Sequence, residues 1–144
     1  MLWLAALAAQ TSSVVSLAPP PKVIVKRGST VEVKLTFALQ QGYHANSNSP
    51  SEDYLIPLRL TWEKGVLESG EIVYPKAQLE KYEFSPKPLS VFTGAFDIVT
   101  KFKAPTAAPD GPNLMTGKLR YQACNNNSCL PPKTLEVKLP LVIY

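Results

Sequence analysis

The chain has 144 residues, 45% of them hydrophobic and 18% charged, with a formal net charge of +4 from 15 basic and 11 acidic side chains. That length suits one domain with an adequate core. The basic residues are spread along the chain rather than gathered into a patch, which excludes the electrostatic footprint of a nucleic-acid binder. The 14 prolines are about twice the average share and favour strands joined by rigid turns over helices.

The start, Met-Leu-Trp-Leu-Ala-Ala-Leu-Ala-Ala-Gln10, is an apolar run. It is shorter than the roughly 20 residues that span a bilayer. Ala6-Leu7-Ala8 fits the small-x-small pattern of an export-signal cleavage site, although no Lys or Arg precedes Lys22. Residues 1–20 are therefore expected to be a signal-peptide remnant or an N-terminal tail, with a simple terminal strand as the alternative. Residues 21–144 are expected to form the domain. Export would put the chain in a compartment that permits disulfides.

Strands follow in order. Val31, Val33, Leu35, Phe37 and Leu39 alternate with polar residues, the pattern of a strand with one buried face and one wet face. The same alternation recurs in Ile56, Leu58, Leu60 and Trp62, and in Phe92, Phe96, Ile98 and Phe102. It returns in Leu119, Tyr121 and Ala123, and in Leu135, Val137, Leu139 and Leu141. Weaker strands are expected at residues 22–26 and 71–74. Turn signals lie between the runs, among them Gln41-Gly42, Lys64-Gly65 and Pro109-Asp-Gly-Pro112. Seven or so short strands at this spacing predict an all-β fold, an immunoglobulin-like antiparallel β-sandwich.

The only two cysteines, Cys124 and Cys129, flank four residues, Asn125-Asn-Asn-Ser128. A bond closing so small a loop contributes only about 2 kcal/mol of loop-closure stabilisation. Strand parity puts Leu119, Tyr121 and Ala123 on the core side and Cys124 on the outward side, at the tip of a hairpin. Asn tolerates the sharp bend that such a tip requires, and a tight hairpin can bring two Cβ atoms within disulfide range. Spacing alone leaves three uses open: a redox-active pair, a structural bridge, or part of a metal site with His44 and Met115.

The residues around the pair carry a resemblance. Tyr121-Gln-Ala-Cys, a short polar loop, then Cys129-Leu-Pro-Pro-Lys133 resembles the active-site hairpin of the N-terminal periplasmic domain family of the bacterial thiol:disulfide interchange protein DsbD. Gly42-Tyr43-His44-Ala-Asn46 before Leu55-Ile-Pro57 is similar as well, as are Tyr74-Pro75 and Lys87-Pro88-Leu-Ser-Val-Phe92. The resemblance runs from about Val23 to Val142. The pattern departs in a loop shorter by one residue and rich in Asn, and in a missing tyrosine beside Tyr43.

The resemblance implies an immunoglobulin-like sandwich in the bacterial periplasm that needs no cofactor or metal beyond a redox-active disulfide. It implies exchange with thioredoxin-fold proteins. One such partner is the thioredoxin-like domain of a membrane reductant conduit, so that the membrane is engaged only indirectly; others are disulfide isomerases and, downstream, cytochrome c biogenesis. Cys129 would form the mixed disulfide and Cys124 would resolve it. Phe84 or Tyr82, in the segment of residues 81–85, would shield the pair, and Glu83 and Tyr43 could tune it. A monomer is expected, because transient exchange favours small interfaces. The chain would be an excised domain or a stand-alone relative. The competing function is a binding module whose bridge only stiffens a hairpin.

Overall fold

The computed structural model describes residues 8–144, and no helix occurs among them. Residues 1–7 of the apolar start, including Ala6 and Leu7 of the cleavage pattern, lie outside the described residues. The strands in chain order are β1 (Gln10–Ser12), β2 (Val15–Leu17), β3 (Val23–Val25), β4 (Thr30–Leu39), β5 (His44–Asn46), β6 (Arg59–Trp62) and β7 (Glu68–Val73). Then come β8 (Gln78–Glu80), β9 (Leu89–Thr93), β10 (Ala95–Lys103), β11 (Gly111–Tyr121), β12 (Ala123–Cys124) and β13 (Lys133–Ile143).

They form three sheets, ordered β1-β2-β4-β10-β7, β3-β13-β11-β6 and β12-β5-β9-β8. All pairings are antiparallel except β3 with β13. This is the all-β, immunoglobulin-like fold that the alternation predicts. The first two sheets share one core cluster that includes Leu35, Phe37, Ile98 and Phe102 from one sheet and Leu119, Val137 and Leu139 from the other. Ala45, Phe92 and Ala123 join the same cluster from the third sheet.

The longest alternating runs became the longest strands. In β13 every second residue from Leu135 to Ile143 is buried, and β11 pairs with it without a break from Gly111↔Ile143 to Tyr121↔Lys133. Gly117 in β11 is needed where backbones approach closely: a Cβ there would lie 2.7 Å from the Trp62 ring and 2.9 Å from the Thr61 carbonyl oxygen.

Three expectations change. The run from Phe92 to Phe102 is two strands, because Gly94, at φ +60°, turns the chain from β9 into β10. The stretch before residue 21 holds two strands. Residues 10–17 form β1 and β2, which extend the first sheet beside β4. Gln10 exchanges two hydrogen bonds with the Lys138 backbone, accepting from its N–H at 2.8 Å and donating to its carbonyl at 3.0 Å. The Tyr121 hydroxyl donates to the Ser12 carbonyl. Residues 10–17 of the expected tail are thus built into the sandwich. The third change concerns Cys124.

Candidate functional site

The site forms where the chain leaves one sheet for another. β11 ends at Tyr121, and after Gln122 the chain enters β12, which pairs with β5 instead of β13. Gln122 holds this crossing. Its Oε1 accepts from Asn46 Nδ2 at 3.1 Å and from the Ile56 N–H at 3.4 Å, and its carbonyl accepts from the Asn46 N–H at 3.3 Å. Asn46 Nδ2 also donates to the Ile56 carbonyl at 3.1 Å.

The crossing breaks the parity that put Cys124 outside. Ala123 and Cys124 are both buried, at 1% and 0% exposure. Consecutive strand residues point to opposite faces, so β12 is covered on both. Ala123 belongs to the main core. On the other face, Cys124 stands directly opposite His44 of β5. Opposed residues of an antiparallel pair project to the same side.

After Cys124 the chain turns through residues 125–128. The Asn125 N–H donates to the Ser128 carbonyl at 2.9 Å, and Asn125 Oδ1 accepts from the N–H groups of Asn127 and Ser128, each at 2.9 Å. The Leu130 N–H returns to the Ala123 carbonyl at 2.8 Å. These bonds bracket Cys124 and Cys129 as a facing antiparallel pair, Cα–Cα 3.9 Å, and the two are joined in a disulfide. Their surroundings differ sharply: Cys124 is fully buried, whereas Cys129 is exposed.

The second face of β12 is covered from the β8–β9 hairpin. The Tyr82 ring stacks on His44 with centroids 3.9 Å apart, and Phe84 lies nearly parallel to both, 5.7 Å from Tyr82 and 6.4 Å from His44. Tyr82 also packs on a small apolar cluster of Leu55, Leu89 and Val91. Lys81 Nζ ties the hairpin tip by donating to the carbonyls of Tyr82 and Ser85. Lys81, Tyr82 and Glu83 then line a groove with Asn126 and Asn127 of the cysteine loop. The segment of residues 81–85 therefore sits against the cysteine hairpin. Within it Tyr82 is half-buried, while Phe84 is 39% exposed.

The acidic group in contact with the aromatic stack is Glu80, not Glu83. Glu80 Oε2 accepts from the Tyr82 hydroxyl at 2.6 Å. Burial first, then this hydrogen bond and the Glu80 charge, push the Tyr82 phenol well above its ordinary range. Burial holds the His44 imidazole below its ordinary value, against an opposing pull from Glu80. Glu83 is exposed on the groove. Tyr43 packs on the main core. Met115 is buried in mid-β11, and among the described residues no three His, Cys, Asp or Glu side chains converge as a metal site. Lys118 is 3.9 Å from Glu63, and Arg120 stands opposite Thr134 and Arg59.

Sequence reasoning set His44 beside the pair only as a possible metal ligand and missed Glu80. The signal was the consecutive stretch His44-Ala45-Asn46, whose three members are all buried; a strand covered on both faces shows no alternation.

The family model described as "Thiol:disulfide interchange protein DsbD, N-terminal" matches residues 15–141. Among solved structures, the DsbD N-terminal domain of Neisseria meningitidis in the reduced form aligns with a TM-score of 0.51 and 18% identity, covering 78% of this chain and 79% of that one. The N-terminal periplasmic domain of ScsB from Proteus mirabilis aligns with a TM-score of 0.57 and 14% identity, covering 90% of this chain and 49% of that one. No curated protein sequence matches.

Proposed function

Since the chain belongs to the DsbD N-terminal family of thiol:disulfide interchange domains, we propose that it passes reducing equivalents between thioredoxin-fold partners in the bacterial periplasm through Cys124 and Cys129. The observation that carries this reading is the asymmetry of the bonded pair: Cys129 is an exposed residue and Cys124 a fully buried one. Exchange needs one sulfur that a partner can reach and a second that is kept from solvent until it resolves the mixed disulfide.

In the reducing direction, the Cys129 thiolate attacks a sulfur of an oxidised partner. A Cys129–partner disulfide forms, and the partner's other sulfur leaves as a thiolate. Cys124 then attacks Cys129 Sγ, the Cys129–partner bond breaks, and the partner departs as a dithiol. Two electrons and two protons have moved, and Cys124–Cys129 is oxidised. In the reverse direction a reduced thioredoxin-like donor recharges the pair. The Tyr82–Phe84 hairpin lies over the buried cysteine's side of the sheet and serves as a shield that a docking partner displaces.

A purely structural bridge is the poorer account, because the hairpin is already closed by four backbone and Asn125 hydrogen bonds around the pair. Trapping tests the proposal. Reduced Cys124→Ser should accumulate a mixed disulfide with an oxidised thioredoxin-fold protein, visible by mass spectrometry, whereas Cys129→Ser should not. Capture by Cys129→Ser alone would reverse the two roles, and capture by neither would leave a structural bridge.

A further inference from the structure

His44 is 3% exposed, and its Nε2 is buried without a hydrogen-bond partner. A buried polar atom without a partner is costly, and this one belongs to the residue directly across the β5–β12 ladder from the buried cysteine. In the disulfide neither sulfur carries a proton to offer it. Reduction changes that, because Cys124 then bears an S–H on the same side of the sheet as the imidazole.

We propose that His44 takes the proton from Cys124 when that cysteine resolves the mixed disulfide, and returns it when the pair is reduced. This rests on the exchange reading above. In the resolving step the Cys124 S–H proton passes to His44 Nε2, Cys124 Sγ bonds to Cys129 Sγ, and the Cys129–partner bond breaks. The departing partner sulfur keeps that bond's electron pair and takes up the proton from the imidazolium. Without such a base, a buried thiol must ionise in apolar surroundings, which oppose the thiolate.

The groups around His44 suit the role. Cys124 faces it from β12 and the neutral Thr93 from β9. Tyr82 covers its ring, and Glu80 holds the Tyr82 hydroxyl. Glu80 is the one carboxylate acting on the imidazole, and burial outweighs it. The ring is therefore neutral and able to accept a proton at neutral pH, yet has an anion near enough to ease its charging.

The test mixes the reduced protein with dithiobis(nitrobenzoate) in a stopped-flow instrument. This disulfide releases one coloured thiolate on capture at Cys129 and a second on resolution by Cys124. In the wild type the resolving rate should be nearly level between about pH 7 and 8 and fall only at a pH below the imidazole's ordinary 6.5, because burial lowers its pKa. His44→Gln should slow resolution at pH 7 at least about tenfold and give a rate that climbs about tenfold per pH unit, as free thiol ionisation does.

His44→Gln matching the wild type in rate and profile overturns the role of His44 while exchange stands. Should the variant not fold, the wild-type profile decides alone, and a tenfold-per-unit climb through pH 6 to 8 overturns the role. A wild type that releases one thiolate and never the second defeats the exchange reading itself.

Discussion

The long β11–β13 ladder and the short β12–β5–β9 ladder are built on different principles. In the first, eleven residues pair without interruption, one face is apolar, and each side chain shares its burial with many neighbours. In the second, β12 contributes two residues and β5 three, both faces are covered, and register is held by polar side chains such as Gln122 and Asn46. The first derives its stability from area and is insensitive to chemistry. The second gives up area to place a sulfur, an imidazole and a phenol at fixed positions.

Substitutions can break or sharpen this contrast. The largest expected effect lies in the sandwich. Phe37 is fully buried and its ring stacks 5.7 Å from Phe96, so Phe37→Ala should cost about 3–5 kcal/mol, read by chemical denaturation. While the variant remains folded, its two-step release of thiolate should match the wild type. A lost resolving step would mean that the two regions are not separable.

Gln122→Ala should cost less, about 1–3 kcal/mol, because the Asn46 amide and the Ile56 N–H lose an acceptor. Its effect should concentrate at the site. Hydrogen exchange should rise at β5 and β12 and leave β13 protected, whereas uniform loosening would argue against a locally held crossing. The smallest change in stability, about 1 kcal/mol, is expected of Tyr82→Ala, which removes a partly buried ring from the stack. Its mark should be kinetic: the oxidised protein should react several-fold faster with a small thiol such as glutathione. An unchanged rate would deny the hairpin a shielding role.

The same contrast explains what the sequence reveals. The alternation at Val33, Leu35 and Phe37 and at Leu135, Val137 and Leu139 reports one-sided burial directly, and those strands lie where the pattern puts them. At the site the pattern misleads. Parity carried through Gln122 sends Cys124 outward, because nothing in alternation records a change of sheet. The adjacent small apolar residues Ala123 and Cys124 were the available sign that both faces are covered. The aromatic hairpin was legible as a motif, but the choice between Tyr82 and Phe84 depended on the turn that Lys81 and Ser85 set. Glu80 was hidden because its role comes from one long-reaching hydrogen bond to a side chain two residues on.

The Asn125 turn has a consequence of its own. The bonds that hold it belong to the backbone and to one amide, and none runs through sulfur. Under the proposed exchange, oxidation and reduction would therefore act on a hairpin held independently of its sulfurs. Such a carrier would load and unload without a signal spreading into the sandwich. A partner would have to tell the charged form from the spent one at the cysteines and the rings beside them.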